Sequence, residues 1–220
     1  MKRVPQHEFL DNDEGTPEEI TESLNDLRGI NRRFGGIATS RWLLESAMLT
    51  ASLRHATVLE VAAGDGFAIQ NAAARLSDGV RVEITELDRR ASHLSNGNGR
   101  HLVGDALHMP VSDASFDFVS CGLFVHHLMP DEVTRFVSEA LRVARYALLI
   151  NDLVRSRMHL GLTYLGGPLF HSRITKHDSV ASVRQAYTIA ELRELLQRAS
   201  PSRIEVSRHF LYRMGAIAWK

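Results

Sequence analysis

The sequence of 220 residues predicts an α/β fold with a doubly wound, mostly parallel sheet, an antiparallel closing strand and an N-terminal helical cap. Three observations support this. From Thr57 onwards, short apolar runs alternate with helical stretches, which is typical of parallel βαβ units. Residues 203–219 resemble two closing strands, and two helical stretches precede the first strand.

The N-terminal region begins with an amphipathic helix predicted from Thr16 to Arg33. Thr16 is a favourable N-cap, and Pro17 suits the first helical position. Gly35 and Gly36 end this helix, and a second helix is predicted over residues 40–53. Both helices are expected to fold over the sheet. The apolar residues of the first helix recur at helical spacing: Ile20, Leu24, Leu27 and Ile30.

The central region contains five predicted strands: TVLEVA, RVEITEL, the run ending in HLVGDA, FDFVSC and YALLIND. A long segment from Val154 to Tyr187, rich in His, Arg and Gly, follows the fifth strand, and insertions of this length are usually functional. We predict a single domain. Its parts are a cap (1–55), a cofactor-binding core (56–153), a substrate lid (154–187), and a closing helix and strands (188–220).

Composition excludes several classes of protein. The hydrophobic fraction of 44% and charged fraction of 24% are ordinary for a globular domain. No apolar run is long enough to span a membrane, so we expect a cytoplasmic protein. A single cysteine, Cys121, excludes an intrachain disulfide and a cysteine-based zinc site, and no metal site is predicted.

Charge is balanced overall but unevenly distributed, because basic residues predominate after residue 151. Two interpretations remain open. The excess of positive charge lies either on a solvated surface or at the entrance of a site that attracts an anionic substrate. Arg155 and Arg157 are expected on the surface, and the apolar residues between 160 and 170 line either a substrate pocket or the core face of a helix.

The strongest motif is VLEVAAGDGF, residues 58–67, in which a buried strand leads through a small-residue turn into a helix. Gly64 and Gly66 leave room for a ligand next to the helix N-terminus. A glycine-rich turn alone is weak evidence, because tight turns also occur in proteins that bind nothing.

Acidic residues follow at the ends of the next two strands. Glu86 and Asp88 lie about twenty positions after the turn, where a carboxylate can accept both ribose hydroxyls. We favour Asp88, because it comes directly after the last apolar residue of its strand. Asp105 ends the following strand, where it either reaches an adenine amino group or caps a turn. Together these positions predict a nucleotide-type ligand in one crevice.

The series VLEVAAGDG, ITELD and GDALHMPVSDASFDFVSCGLFVHHL resembles the class I S-adenosylmethionine-dependent methyltransferases, of the small-molecule type and with a Rossmann-like fold. The resemblance covers roughly residues 57–152 and implies S-adenosylmethionine as cofactor. It implies that Glu60 orients the cofactor amino group, Asp88 holds the ribose, and Ala62 stands where the family has its first glycine. The implied cofactor-binding set is Glu60, Ala62, Gly64, Asp65, Gly66, Leu87, Asp88, Arg89, Asp105, Ala106, Cys121 and Gly122.

The resemblance also implies the chemistry. A sulfonium is an activated methyl donor, so the protein mainly positions the acceptor and excludes water. A hydroxyl acceptor is helped by a base, and histidine has a suitable pKa. The candidate catalytic residues are His127, His126 and His177, although packed, capping or solvated histidines are the competing interpretation.

The predicted function is methyl transfer to oxygen or an activated carbon of a small, hydrophobic or aromatic acceptor. Nucleic acid is a less favoured acceptor, because the net charge is zero and no binding module is appended. A nicotinamide-dependent oxidoreductase is disfavoured because the turn AAGDGF lacks the GxGxxG pattern. A noncatalytic protein that retains the fold remains open.

Overall fold

The computed structural model describes residues 1–91, 94 and 99–220. No helix in this described part is both long and apolar enough to cross a membrane. Short 3₁₀ helices lie at Leu10–Asn12, Val125–His127 and Gly167–Leu169. The α-helices are α1 (Pro17–Arg33), α2 (Gly36–Thr50), α3 (Phe67–Ala73), α4 (Pro130–Val143), α5 (Arg157–Gly166), α6 (Arg173–Gln185) and α7 (Ile189–Arg198). The strands are β1 (His55–Val61), β2 (Arg81–Asp88), β3 (Arg100–Val103), β4 (Phe116–Gly122), β5 (Ala144–Leu153), β6 (Arg203–His209) and β7 (Arg213–Trp219).

The strands form one sheet in the order β3-β2-β1-β4-β5-β7-β6. Strands β1 to β5 pair in parallel, whereas β7 is antiparallel to both β5 and β6. This confirms the predicted doubly wound, mostly parallel sheet with an antiparallel closing strand. Because β2 and β4 lie on opposite sides of β1, the strand order reverses there and opens a crevice at the carboxyl edge.

Neighbouring residues along each strand face opposite sides of the sheet, and both sides are covered. Val58 packs with α2 and α3 on one face, while Leu59 packs with α4 and α7 on the other. In β4, Phe118 lies on the same face as Val58, and Val119 lies on the same face as Leu59. Burial on both faces explains why these strands read as continuous apolar runs.

The first predicted helix is confirmed, with the Thr16 side chain accepting from the Glu19 backbone in a capping box. Helix α2 starts earlier than the predicted residue 40 and ends at Thr50 rather than 53. The break between the helices is short because Gly35 has a φ of 79°. A Cβ on Gly35 would lie 1.6 Å from the Phe210 carbonyl oxygen, so only glycine fits.

The two N-terminal helices occupy different layers. Leu43, Leu44 and Ala47 of α2 are completely or almost completely buried against the sheet. Helix α1 lies further out and contacts α2, α3 and α6. Of the region predicted as a cap, α1 is therefore the helix that lies next to the glycine-rich turn.

The segment 154–187 folds into α5 and α6, joined by a 3₁₀ helix. Helix α6 packs on α1, and its Thr175 hydroxyl donates to the Ser23 hydroxyl at 3.0 Å. Helix α5 packs on α6 but has no buried residue, and Leu162 and Leu165 are exposed. These two apolar side chains therefore do not form the core face of a helix.

Arg155 is buried, contrary to the expectation that it lies on the surface. Its guanidinium donates to the Met1 and Ala186 carbonyl oxygens at 3.0 and 2.5 Å and to the Glu191 carboxylate at 2.5 Å. Arg155 thereby ties the N-terminal segment to the connection between α6 and α7. Position in a polar stretch of sequence misled the prediction, because burial here depends on partners distant in sequence.

We expect Arg155→Ala to lower the free energy of unfolding by roughly 2–4 kcal/mol, because several hydrogen-bond acceptors lose their donor. Arg157→Ala is the matched control; Arg157 is exposed, so its loss should change stability by less than about 0.5 kcal/mol. Urea unfolding followed by circular dichroism measures both. Equal effects of the two substitutions would contradict the structural role of Arg155.

Candidate functional site

The glycine-rich turn after β1 has an unusual backbone. Ala62, Gly64 and Gly66 have φ values of 51°, 54° and 63°, in the left-handed region. A Cβ on Gly66 would collide with the Glu86 carboxylate, whereas a Cβ on Gly64 would meet no atom within 4 Å. Gly64 therefore faces open space at the start of α3, as a backbone that approaches a ligand must.

Glu86 and Asp88, the two acidic residues near the end of β2, have different surroundings. Glu86 is buried, accepts a hydrogen bond from the Gln70 amide, and pairs with His101 at 3.2 Å. Asp88 is the last residue of the strand, and its Oδ2 accepts from the Gly64 backbone N–H at 3.1 Å. Asp88 thus joins the end of β2 to the glycine-rich turn, while Glu86 is engaged within the core.

The other predicted residues around this edge differ in exposure. Leu87 is buried in the core, and Arg89 is exposed and donates to the Asp11 carbonyl oxygen at 3.1 Å. The Asp105 side chain is 63% exposed, and its Oδ1 accepts from the Leu107 backbone N–H at 2.9 Å. Asp105 therefore caps its own turn in this structure, and the neighbouring Ala106 is partly buried.

Glu60 is a buried carboxyl group at the centre of the crevice. One of its oxygens, Oε2, is buried without a hydrogen-bond partner in the described structure. Burial, reinforced by the charge of Glu86, raises the pKa of Glu60 to about 7, against a lowering by the Ser120 hydrogen bond. Gly122, at the end of β4, has a Cβ position 3.6 Å from Glu60 Oε1. A Cβ at this position would be in ordinary van der Waals contact with the carboxylate.

Cys121 precedes Gly122 in β4 and is buried in the core. Burial raises the pKa of its thiol well above the ordinary value, and the charges of Glu60 and Asp152 act in the same direction. The thiol is therefore a neutral packing group. Only its backbone and that of Gly122 lie at the strand end.

Helix α1 is attached directly to the glycine-rich turn. Arg28 donates to Asp65 Oδ2 at 2.7 Å, and Asp65 Oδ1 accepts from the Phe67 backbone N–H at 3.1 Å. Arg32 lies over the Phe67 ring, with its guanidinium carbon 4.8 Å from the centroid. The predicted residue Asp65 thus positions the turn. Sequence reasoning missed Arg28, because a basic residue on a polar helix face carries no local signal.

His126 is completely enclosed between two carboxylates. Its Nδ1 lies 2.6 Å from Asp152 Oδ1, and its backbone N–H donates to Asp152 Oδ2 at 3.0 Å. Its Nε2 lies 3.7 Å from Glu8 Oε1. Burial lowers the pKa of His126, but Asp152 and Glu8 outweigh that effect and raise it to about 10. With only 2% of its surface exposed, the ring does not reach an acceptor in this arrangement.

The other two candidate catalytic histidines have different surroundings. His127 stacks beside His126, with ring centroids 4.1 Å apart, and its Nδ1 lies 2.9 Å from Asp11 Oδ2. His177 of α6 stacks on Phe9 and bonds to the adjacent Asp178 carboxylate at 2.8 Å. The structure therefore brings His126 and His127 together, while His177 lies apart from them against the N-terminal segment.

The cations of the predicted lid are largely engaged with neighbouring helices. Arg173 pairs with Glu19 of α1, and Arg184 donates to the Tyr164 hydroxyl at 2.8 Å. His171 lies 3.1 Å from Asp26 of α1. Arg173 and His171 thus connect the segment to α1, and Arg184 connects α6 to α5.

Asp152, Glu8 and Asp11 were not identified from sequence. Asp152 stands at the carboxyl end of the predicted strand YALLIND, so the argument that identified Asp88 would also have identified it. Glu8 and Asp11 lie in the N-terminal segment, which has no periodic pattern. Their approach to the histidines depends on tertiary folding alone.

The chain matches a family of known proteins over its central part. Residues 59–147 match the family model described as a methyltransferase domain. No curated protein matches the sequence significantly.

Several solved structures have a similar fold. The plantazolicin methyltransferase BpumL, in complex with a monoazolic desmethylPZN analog and SAH, is 13% identical, with a TM-score of 0.70 over 96% of this chain and 92% of that chain. The plantazolicin methyltransferase BamL, with a triazolic desmethylPZN analog and SAH, is 19% identical, with a TM-score of 0.64 over 89% and 74%. A SAM-dependent methyltransferase from Aquifex aeolicus is 18% identical, with a TM-score of 0.52 over 79% and 88%. At these identities the likeness concerns the fold.

Residues 59–147 therefore match a methyltransferase domain, and this match agrees with the predicted resemblance to the class I S-adenosylmethionine-dependent methyltransferases. The predicted cofactor, S-adenosylmethionine, agrees with this match, and SAH is bound in the structurally similar BpumL and BamL. The crevice fits S-adenosylmethionine. Glu60 has a buried oxygen without a hydrogen-bond partner in the described part of the chain, where an amino group can bind, and Gly64 faces open space. The match favours methyl transfer over nicotinamide-dependent oxidation.

The left-handed conformation of Ala62 generates a prediction about stability. An L residue other than glycine costs roughly 1–2 kcal/mol in this conformation, while glycine increases the entropy of the unfolded chain. We expect Ala62→Gly to leave the free energy of unfolding unchanged or to raise it by up to about 1 kcal/mol. Ala63→Gly is the matched control and should lower stability by about 0.5–1 kcal/mol. A larger loss for Ala62→Gly than for Ala63→Gly in urea unfolding would disprove backbone strain at residue 62.

Proposed function

We propose that the protein transfers the methyl group of S-adenosylmethionine to oxygen or an activated carbon of a small, hydrophobic or aromatic acceptor. The observation that carries the proposal is the cradle at the carboxyl edge, where Gly64 faces open space and hydrogen-bonds to Asp88. The complexes of BpumL and BamL with desmethylPZN analogs support an acceptor other than nucleic acid.

The cofactor supplies a methyl group already activated by a sulfonium. In the proposal Glu60 receives the amino group, the turn 62–66 surrounds the methionine part, and Asp88 accepts the ribose hydroxyls. Each Asp88 oxygen already accepts one backbone N–H, from Gly64 or Arg90, which orients the carboxylate before the ligand arrives. Cys121 and Gly122 form the wall beside the sulfonium. Asp105 and Ala106 bind the adenine. For this, the Asp105 side chain must rotate away from the Leu107 backbone N–H to which it is hydrogen-bonded.

Residues of the chain then orient the acceptor and exclude water. The 3₁₀ helix Val125–His127 follows β4 and contacts both β5 and α6, while α1 packs between α6 and the glycine-rich turn. These elements surround the carboxyl ends of β4 and β5. We propose the acceptor site there, with His126 and His127 at its wall and His177 on the outer helix. Because the His126 ring is enclosed, positioning of the acceptor carries more of the reaction than proton transfer to that ring.

The function is tested by incubating the full chain with S-adenosylmethionine labelled in its methyl group. Phenols, azole-containing peptides, lipids and short nucleic acids serve as acceptors, and mass spectrometry locates the label. We expect label in the small or peptide-derived acceptors and stoichiometric formation of S-adenosylhomocysteine. Labelling of nucleic acid alone, or binding of the cofactor without any transfer across all acceptors, would reject the proposal.

We expect Asp88→Asn to weaken binding of S-adenosylhomocysteine by about 1.5–3 kcal/mol, because charge-assisted bonds to the ribose are lost. Asp105→Asn should have a smaller effect, since Asp105 is mostly exposed and engaged with its own turn. Calorimetry on both variants measures the affinities, with circular dichroism to check folding. A larger loss of affinity for Asp105→Asn than for Asp88→Asn would mean that the main contact to the ligand comes from the turn after β3.

The raised pKa of Glu60 predicts that cofactor affinity depends on pH. Below about pH 7 the buried carboxyl is protonated in the free protein, so binding the cationic amino group requires loss of that proton. We expect S-adenosylhomocysteine to bind more tightly as pH rises from about 6 to about 8. Glu60→Gln should remove this dependence, whereas Glu83→Gln, at an exposed position on β2, should retain it. A flat pH profile for the unsubstituted protein would contradict the role of Glu60.

A further inference from the structure

A second group of ligand-type atoms involves none of the residues of the proposed cofactor cradle. Glu8, His126 and His127, here called the Glu-His cluster, each place one such atom within 4.8 Å of the others. Glu8 Oε1 is 3.7 Å from His126 Nε2 and 4.0 Å from His127 Nδ1. The cluster joins the N-terminal segment to the loop after β4.

His126 Nε2 is buried and has no hydrogen-bond partner among the residues that the structure describes. At the opposite side of the ring, Nδ1 lies 2.6 Å from Asp152. A metal ion would replace the proton on Nε2, which leaves to solvent, while the proton on Nδ1 stays donated to Asp152. Histidines that bind metals have this arrangement, with the second ring nitrogen held by a carboxylate.

The distances within the cluster suit an ion better than a direct hydrogen bond. At 3.7 Å, Glu8 and His126 are beyond hydrogen-bond range. Two donors that each lie about 2.1 Å from a tetrahedral ion are roughly 3.4 Å apart. Closing the cluster around an ion therefore requires shifts of about 0.5–1 Å, which side-chain torsions absorb.

Surrounding residues orient the ligands and add negative charge. Ser182 and Gln185 of α6 donate to Glu8 Oε1 at 2.8 and 2.5 Å, which holds the carboxylate toward the histidines. Asp11 Oδ2, 2.9 Å from His127 Nδ1, is placed to become a fourth ligand. Among the described residues, no Lys or Arg forms an ion pair with Glu8 or Asp152. A divalent cation would neutralise this excess of carboxylates.

From this geometry we infer that Glu8, His126 and His127 bind a divalent first-row transition metal, zinc being the ion best suited to two imidazoles and a carboxylate. Asp152 positions the His126 ring, and Asp11 completes the ligand set. The ion fastens the N-terminal segment over the ends of β4 and β5. No metal site was predicted from the single cysteine in the sequence. A single cysteine excludes only cysteine-based sites, so it does not exclude a site made of histidines and carboxylates. The inference does not depend on methyl transfer.

The test is a zinc titration of the full chain, by calorimetry after treatment with a chelator. We expect one ion per chain and a melting temperature that rises with zinc. Glu8→Gln and His127→Gln should each weaken zinc binding at least about tenfold. Cobalt substitution should give the visible absorption of a nitrogen- and oxygen-ligated ion, which both variants lose.

The matched control is His7→Gln, which removes another histidine of the N-terminal segment. His7 lies 2.6 Å from Glu14, and both side chains are about half exposed. This variant should bind zinc as tightly as the unsubstituted chain. Circular dichroism confirms that Glu8→Gln and His127→Gln remain folded, so that lost binding reports lost ligands.

Two results would overturn the inference. No zinc binding by the folded chain would mean that His126 simply carries two protons between Asp152 and Glu8. Equal affinity in Glu8→Gln, His127→Gln and the unsubstituted chain would place the ion on exposed histidines instead.

Discussion

The pairing of β1 with β2 on one side and β4 on the other determines where the candidate cofactor residues lie. Val61 is level with Leu87 and with Cys121, so the three strands end at one edge of the sheet. Residues next to these strand ends are far apart in sequence, yet the register brings Gly64 and Asp88 into hydrogen-bond contact. A shift of one residue would turn Glu60 from the crevice to the opposite face, because side chains alternate along a strand.

Burial at this edge has opposite electrostatic consequences for two groups. Desolvation dominates at Glu60 and, together with the charge of Glu86, raises its pKa to about 7. Asp152 is equally enclosed, but the charged His126 ring outweighs desolvation and holds its pKa below the usual range. In the proposed function the Glu60 carboxyl receives the amino group of the cofactor, whereas Asp152 already faces the charged His126 ring.

The outer layer connects both ends of this crevice. Helix α1 is bonded to the glycine-rich turn through Arg28 and Asp65, and to α6 through Glu19 and Arg173. The N-terminal segment continues the layer, since Glu8 bonds to α6 and approaches the histidines after β4. The proposed cofactor and acceptor regions therefore share one covering layer, and the proposed metal ion would lie within it.

The sequence by itself determined the order and type of the elements in the core. Val58 and Leu59 face opposite layers of helices. Because both faces of the strand are buried, the strand appears in the sequence as a continuous run of apolar residues. The turn around Gly64 and the acid Asp88 are equally local signals. Only the tertiary structure decided that Arg155 is buried, that α2 belongs to the core, and that Glu8 meets His126 and His127. Each of these depends on partners far apart in the chain, and a side chain's sequence neighbourhood carries no record of them.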